Sequence, residues 1–127
     1  NFEDVQWAIN NQPSLIISTL DINNQDCLIS DTISAIDEVG TINDYLKNKS
    51  GSRIIVYGEN AADERIVLKY NQLIGLGFTN VLIYPGGLFE WLLLQDIYGK
   101  DLFPTDGEEK DLLKYKGKQQ LGVLMLE

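Results

Sequence analysis

Three short runs of branched apolar residues constrain the fold of this 127-residue chain more than any other feature of its sequence. They are Leu15-Ile16-Ile17, Ile54-Ile55-Val56-Tyr57 and Val81-Leu82-Ile83-Tyr84. Such runs are typical of strands buried on both faces of a parallel sheet. Segments with helical periodicity lie between them. The alternation predicts right-handed crossovers and an α/β domain of three layers, with a central parallel sheet flanked by helices.

The apolar spacing also predicts where the helices lie. A short amphipathic helix is expected over residues 3–11, and a second around Ile42 to Leu46, ending in the polar stretch 47–52. A third is expected over 66–74, closed by Gly75 and Gly77. Residues 88–98 are nearly all apolar, so this last helix is expected to be buried on most sides.

The end of the chain differs from the rest. We expect one domain over residues 1–104 and a C-terminal extension over 105–127, either packed on the domain or used for association. Thr105 to Glu108 has the spacing of a capping box, which predicts a short helix through Leu113. Lys114, Lys116 and Lys118 follow and are expected to form a solvated face. The apolar run 121–126 is either a last strand or arm on the domain, or a surface that pairs with another chain.

Composition excludes several classes of function. The formal net charge of −9 argues against a nucleic-acid or anionic-membrane partner. Histidine is absent, which rules out a Ser/His or Cys/His catalytic pair, and no metal or other cofactor is expected. The single cysteine, Cys27, excludes an intramolecular disulfide and favours a reducing, cytoplasmic compartment. No apolar run reaches the length of a membrane span.

The segment after the second apolar run is the candidate site. In an open parallel sheet, ligands bind beyond the carboxyl ends of strands, where a loop leads into a helix. Asn60 is the expected cap of that helix. The loop has the following sequence: Gly58, Glu59, Asn60, Ala61, Ala62, Asp63, Glu64, Arg65.

A second motif lies just after the third apolar run. It reads Tyr84-Pro85-Gly86-Gly87-Leu88-Phe89-Glu90-Trp91. This motif resembles the C-terminal signature of rhodanese-like domains: an aromatic residue, a small residue or proline, two glycines, then an aromatic residue followed by glutamate and an aromatic residue. Leu88 departs from it, since the family usually has tryptophan or phenylalanine there. The signature residues Tyr84, Gly86, Gly87, Glu90 and Trp91 are expected to be structural. The resemblance covers most of residues 1–104 and implies the rhodanese fold.

The resemblance also identifies what the chain lacks. Family members that transfer sulfur have a cysteine directly after the strand that is here 53–57, and Gly58 stands at that position. A thiolate carries the sulfur as a persulfide, and glycine cannot do so. The family's Asp-x-Arg is replaced by Ser18-Thr19-Leu20, and Leu28 stands where a histidine is frequent. The implied function is a catalytically inactive module that binds a protein partner or itself, regulates, or serves a structural role. The alternative is a sulfurtransferase or phosphatase-like enzyme with an unrecognised or partner-supplied nucleophile.

Several side chains have two interpretations. Either Glu59 or Asp63 folds into the vacant anion cradle, or the acids of the loop only cap and solvate the helix. Cys27 is expected to be a small buried residue and not a displaced nucleophile. Arg65 resembles the anion-binding arginine of related dual-specificity phosphatases, but an intrahelical ion-pair partner is the expected role. Trp7 and Trp91 are expected to be core aromatics.

Overall fold

The computed structural model describes residues 1–11, 14–119 and 121. Four α-helices and five β-strands occur within these residues. In chain order they are α1 (Phe2–Asn10), β1 (Ser14–Ser18), β2 (Leu28–Ile29), α2 (Ala35–Asn48), β3 (Arg53–Tyr57), α3 (Arg65–Leu76), β4 (Val81–Tyr84), α4 (Gly87–Tyr98) and β5 (Thr105–Asp106). A single turn of 3₁₀ helix, Ile22–Asn24, lies between β1 and β2.

The three predicted apolar runs form a parallel sheet in the order β1-β3-β4. Leu15 pairs with Ile54, which in turn pairs with Val81, so these residues share one face of the sheet. Their neighbours point to the opposite face because side chains alternate along a strand. In β1 and β3 the consecutive apolar residues are therefore explained by a sheet that is covered on both sides, whereas Leu82 and Ile83 of the edge strand β4 are exposed, so burial on both faces fails there. The predicted parallel sheet is confirmed.

Each face of the sheet has its own core. Ile16, Ile55, Tyr57 and Tyr84 pack against α1 and α4, whose buried residues are Val5, Ala8, Leu88, Trp91 and Leu92. Leu15, Ile17, Ile54, Val56 and Val81 pack against Ile42 of α2 and Ile66 and Leu73 of α3. The architecture is thus three layers, with two helices on each side of the sheet.

The helices differ from their predicted spans at the ends. Helix α2 begins at Ala35, seven residues before the first apolar marker used to predict it. Helix α3 continues through Gly75 and ends at Gly77, whose φ of 113° is the left-handed conformation that glycine adopts at helix ends. In α4 the first turns are buried, but Ile97 and Tyr98 are exposed. The expectation that α4 is buried on most sides holds only for its amino-terminal part.

Two sequence predictions outside the candidate site are wrong. Thr105 and Asp106 do not open a helix; they form β5 and pair antiparallel with Ile29 and Leu28 of β2. Trp7 is not a core residue, since half of it is exposed and the Arg53 guanidinium lies 4.1 Å from the centre of its ring. Trp91, by contrast, is fully buried as predicted.

The residues after position 104 are joined to the domain by more than β5. Leu112 packs against the core, and Tyr115 is buried within it. Lys114, Lys116 and Lys118 are all exposed, as predicted, and Lys114 also pairs with Glu109 at 3.1 Å. The boundary after residue 104 stays a prediction, and all but the first residue of the apolar run 121–126 lies outside the described residues.

Candidate functional site

The loop Gly58–Arg65 lies at the carboxyl end of the central strand β3, where it leads into α3. Strand β1 ends beside it, because Ser18 pairs with Tyr57 and the Thr19 N–H donates to the Tyr57 carbonyl at 2.9 Å. Tyr57 is fixed in turn by its buried hydroxyl, which accepts from the Ile29 N–H at 3.2 Å. The sheet register therefore brings Thr19 next to Gly58.

The carboxylate of Asp63 is the centre of this loop. Its Oδ2 accepts from the Thr19 hydroxyl at 2.8 Å and from the Glu59 N–H at 3.1 Å. Its Oδ1 accepts from the Arg65 N–H at 3.0 Å. The Arg65 guanidinium completes the shell, with Nε 2.9 Å from Oδ1 and Nη2 3.0 Å from Oδ2. Five hydrogen bonds thus converge on one side chain that is only 5% exposed.

Gly58 has no room for a side chain while Asp63 is in this position. A β-carbon built on Gly58 would overlap Oδ2 of Asp63 and lie 2.8 Å from its Cγ. It would also lie 2.9 Å from Oγ1 of Thr19. Contacts between heavy atoms at such distances are strongly repulsive, so either Asp63 has to move or position 58 has to be glycine.

The same contacts control the protonation of Asp63. Burial alone would raise the pKa of its carboxyl group, because a charge is costly away from water. Hydrogen bonds from Arg65, Thr19 and the Glu59 N–H outweigh burial and hold the pKa at about 2. Asp63 is therefore a carboxylate at neutral pH and a very weak base, which leaves it unsuited to deprotonate the Thr19 hydroxyl beside it.

The glycine pair of the signature motif fastens the loop to α4. Gly87 has a φ of 67°, and a β-carbon there would lie 2.5 Å from the Gly58 carbonyl oxygen. The first N–H groups of α4 donate to the loop, from Leu88 to the Gly58 carbonyl at 2.9 Å and from Phe89 to the Glu59 carbonyl at 2.8 Å. The helix end thus binds loop carbonyl groups directly, and glycine permits this approach.

The remaining signature residues make packing contacts and hydrogen bonds within the domain, as expected of structural residues. The Glu90 carboxylate folds over Gly86, where a β-carbon would collide with it. Tyr84 and Trp91 pack edge to face with ring centres 6.1 Å apart. The Trp91 indole N–H donates to the Pro104 carbonyl at 3.0 Å. The motif therefore joins β4, α4 and the segment before β5.

Asn60 links the loop to the C-terminal extension. Its Oδ1 accepts from the Ala62 N–H at 2.8 Å, and its Nδ2 donates to the Tyr115 carbonyl at 2.8 Å. It does not cap α3, which begins five residues later at Arg65. The prediction of an Asn60 cap is wrong because Asn60 stabilises a turn within the loop, and Asp63 accepts the N–H at the start of α3.

Arg65 is an ion-pair partner, as predicted, but its partners are not intrahelical. It contacts Asp63, Glu59 at 3.6 Å and Asp21 at 3.6 Å, and all three precede α3. The acidic groups raise the pKa of its guanidinium further, chiefly through the hydrogen bonds to Asp63. The Arg65 guanidinium is thus neutralised by carboxylates of the same chain. Two other loop residues, Ala61 and Glu64, are exposed.

Cys27 lies away from the loop surface. It is 1% exposed, in the core that contains Tyr57, Tyr84 and Tyr115. Burial raises the pKa of its thiol, which favours the unreactive form. The prediction that Cys27 is a buried residue is confirmed.

Two clefts border the loop. One, of about 280 Å³, lies between the end of β1 and helices α2 and α3 and contains the ion pair of Glu38 and Lys69 at 2.7 Å. The other, of about 760 Å³, lies between the loop and the C-terminal extension. The loop contributes Glu59, Asp63, Glu64 and Arg65 to its lining, and the extension contributes Lys114, Lys116 and Lys118. The loop side of this second cleft is thus mixed in charge, and the extension side is basic.

Metal-binding clusters and membrane-spanning helices are both absent from the described part of the chain. There, no group of three or more histidine, cysteine, aspartate or glutamate side chains is arranged to hold a metal ion. No helix in the same residues has the length and apolar character needed to cross a membrane.

Sequence reasoning missed two participants in the site. Thr19 was noted only as a departure from the family pattern, although the pairing of β1 with β3 places it beside Gly58. Tyr115 gave no signal at all, because its contact with Asn60 joins residues 55 positions apart. The loop and the signature motif, by contrast, are brought together as the sheet topology requires.

Neither protein-family models nor curated proteins give a match to this chain. Solved structures do. The Alr3790 protein from Anabaena sp. has the same fold, with a TM-score of 0.60 and 23% identity over 83% of this chain and 88% of that chain. The rhodanese-like domain of the Alr3790 protein gives a TM-score of 0.51 with 26% identity over 75% of this chain and 83% of that chain. A structure described as its Rhodanese_3 like domain gives 0.50 with 26% identity over 72% of this chain and 95% of that chain. With the parallel sheet β1-β3-β4, these likenesses show that the chain has a rhodanese-like fold.

Proposed function

We propose that this chain is a catalytically inactive rhodanese-like domain that acts as a protein-interaction, regulatory or structural module. The carboxylate of Asp63 is the single observation that carries the proposal. It occupies the space above Gly58, where the family's sulfur-carrying side chain is expected, and it takes up hydrogen-bond donors that an anionic substrate needs. The site is chemically incomplete and internally filled.

The charges around the loop support the same proposal. Thiosulfate and phosphoryl groups are anions, and they bind where donors and cations converge without competing carboxylates. Here the Arg65 guanidinium is shared among Asp63, Glu59 and Asp21. An anion would have to displace a carboxylate that makes five hydrogen bonds, including two from that guanidinium.

An activity assay tests the catalytic half of the proposal. Thiosulfate:cyanide sulfurtransfer and hydrolysis of p-nitrophenyl phosphate are measured with the full chain and with a heat-denatured sample. We expect the two samples to give equal rates. A rate well above the denatured sample with either substrate would establish an enzyme and reject the proposal.

Sulfate binding tests whether Asp63 fills the cradle. In Asp63→Ala the donors of Thr19, Glu59 and Arg65 are freed, so we expect sulfate to raise its melting temperature more than it raises that of the wild type. Glu59→Ala is the matched control: it removes a neighbouring carboxylate but leaves the Glu59 N–H bound to Asp63. The wild-type response measures the general salting effect of sulfate. Equal responses in all three proteins would show that Asp63 does not occlude an anion site.

The interaction half has a separate test, since the protein could be inert and still bind no partner. Sedimentation over a range of concentrations shows whether the chain associates with itself. The formal charge of −9 opposes association between identical copies, so any self-association is expected to strengthen as salt rises. A monomer at every concentration and salt would limit the proposal to partners of another sequence.

A further inference from the structure

Three large apolar side chains are exposed beside the smaller of the two clefts, which lies between the end of β1 and helices α2 and α3. Leu68 of α3 lines this cleft, and Ile36 and Val39 lie on α2. They are 70%, 81% and 69% exposed, so the core of the domain does not use them. We call these three residues the apolar patch. Single exposed apolar residues need no explanation, whereas a contiguous patch of them marks an interaction surface.

An ion pair joins the two helices beside the apolar patch. Glu38, which precedes Val39, has its Oε2 2.7 Å from Nζ of Lys69, which follows Leu68. Both charged side chains line the cleft. Helices α2 and α3 therefore come close together at the level of Val39 and Leu68.

The helical repeat places the α2 members of the apolar patch on the side that faces α3. Leu46 of α2 marks this side, because a β-carbon built on Gly77, at the end of α3, would lie 3.8 Å from it. Val39 precedes Leu46 by seven residues, and Ile36 precedes Val39 by three, so all three share one side of the helix. The apolar patch thus borders the groove between α2 and α3. A groove with apolar borders suits the apolar stripe of a partner helix.

The charge around the groove is negative. Asp21, Asp37 and Glu64 are exposed near the apolar patch, whereas the two cations that line the cleft, Arg65 and Lys69, are paired with carboxylates. A second copy of the chain carries the same formal charge of −9 and is repelled. A partner with basic residues beside its apolar stripe is complementary to this surface.

We propose that the groove between α2 and α3 binds an amphipathic helix of another protein. The apolar stripe of that helix covers Ile36, Val39 and Leu68, and its flanking lysine or arginine side chains face the acidic groups around the groove. This binding rests on the proposed function, since it gives an interaction module its surface and the chemistry of its partner. It does not depend on the filling of the loop by Asp63, so the groove and the loop are tested separately.

Two model peptides test the groove. Both have leucine at the helical spacing i, i+3, i+4 and i+7, and the remaining positions are lysine in one peptide and glutamate in the other. In calorimetry with the full chain we expect the lysine peptide to bind and the glutamate peptide not to bind. The affinity of the lysine peptide should fall as salt rises, because salt screens the ion pairs. Hydrogen exchange of amides 35–40 and 66–72 should slow when it binds.

Leu68→Ser and Ile97→Ser are a matched pair of variants, because Leu68 and Ile97 are 70% and 69% exposed on helices that cover opposite faces of the sheet. We expect Leu68→Ser to weaken binding of the lysine peptide about tenfold, as the loss of an interface anchor does, and Ile97→Ser to leave it unchanged. Equal affinity of the two variants for that peptide would overturn the proposal.

Three other results would also overturn it. One is the absence of binding by the lysine peptide, and another is equal binding of both peptides by the wild type. The third is a dimer of the wild type that Leu68→Ser abolishes, which would assign the groove to a second copy. None of these results changes the sulfurtransfer and phosphatase assays, and activity in those assays would reject the proposed function without affecting peptide binding.

Discussion

At the scale of single residues, Gly58 and Asp63 form one unit. The absence of a side chain at position 58 and the position of the carboxylate at 63 explain each other, because the two groups need the same space. From the sequence, either Glu59 or Asp63 could fill the vacant cradle. The structure selects Asp63 because the loop directs its side chain toward Thr19, whereas Glu59 takes part through its backbone N–H.

The pairing predicts a coupling that a double-mutant cycle measures. Gly58→Ala should destabilise the protein by about 1–3 kcal/mol, the usual cost of overpacking. In an Asp63→Ala background the same substitution should cost clearly less, because the overlap has gone. Unfolding by urea of the four proteins gives the coupling energy. A cost at Gly58 that is independent of Asp63 would contradict the shared space.

The pKa of Asp63 predicts how stability depends on pH. Its ordinary value of 3.8 falls to about 2 in the folded protein, so ionised Asp63 stabilises the fold above pH 4. A pKa shift of this size contributes about 2 kcal/mol to the free energy of unfolding, and this contribution is lost as the pH falls from about 4 to 2. Asp63→Asn should lack this part of the acid dependence. The measurement is the free energy of unfolding at pH 6 and at steps down to pH 2, and parallel curves for the two proteins would contradict the prediction.

At the scale of elements, the connection between β4 and α4 positions the loop. The signature motif predicts a structural role for its two glycines, and the contacts in the structure give the reason for each. Gly86 makes room for the Glu90 side chain, and Gly87 makes room for the Gly58 carbonyl. The helix end then binds the loop through the Leu88 and Phe89 N–H groups.

Gly87→Ala should therefore be severely destabilising, by about 3 kcal/mol or more, since it adds an unfavourable φ and a collision with backbone. Gly75→Ala is the matched control, because Gly75 lies exposed within α3 with no atom near its missing β-carbon. There alanine should stabilise the protein by up to about 1 kcal/mol through helix propensity. Thermal unfolding distinguishes the two. Equal changes in stability for Gly87→Ala and Gly75→Ala would show that position 87 can accommodate a side chain.

Strands β1, β3 and β4 and helix α3 could be predicted because local patterns decide them. The predicted helix after Thr105 failed for the opposite reason. Gln95 donates to the Thr105 hydroxyl at 3.1 Å, and that hydroxyl donates to the Gly107 carbonyl, so the side chain is not available as a helix cap. The Leu28–Ile29 partner of β5 is nearly 80 residues away in sequence. Periodicity and capping patterns carry no information about such contacts.

At the scale of the whole molecule, residues 105–115 of the C-terminal extension are joined to the core and are not an appendage. Strand β5 pairs with β2, Leu112 packs against the core, and Tyr115 is buried within it. The resemblance to the family covers residues 1–104, so it gave no reason to expect that later residues contribute. Their contribution comes from tertiary contacts that no short motif encodes.

Tyr115→Ala tests this integration. Removing a buried aromatic side chain typically costs about 3–5 kcal/mol, and we expect a loss of that order. Leu113→Ala, in the same turn but 58% exposed, should change the free energy of unfolding by less than about 0.5 kcal/mol. A single urea transition, seen equally by tryptophan fluorescence and by exposure of the Cys27 thiol, should persist in both variants. A separate early transition confined to the extension would contradict the shared core.

The overlap above Gly58 also bears on how such a domain can change over time. A cysteine introduced at position 58 alone would meet an occupied space, and a smaller residue at position 63 alone would leave an emptied cradle without a thiol. The internal carboxylate thus makes the size of the residue that fits at position 58 depend on the residue at position 63.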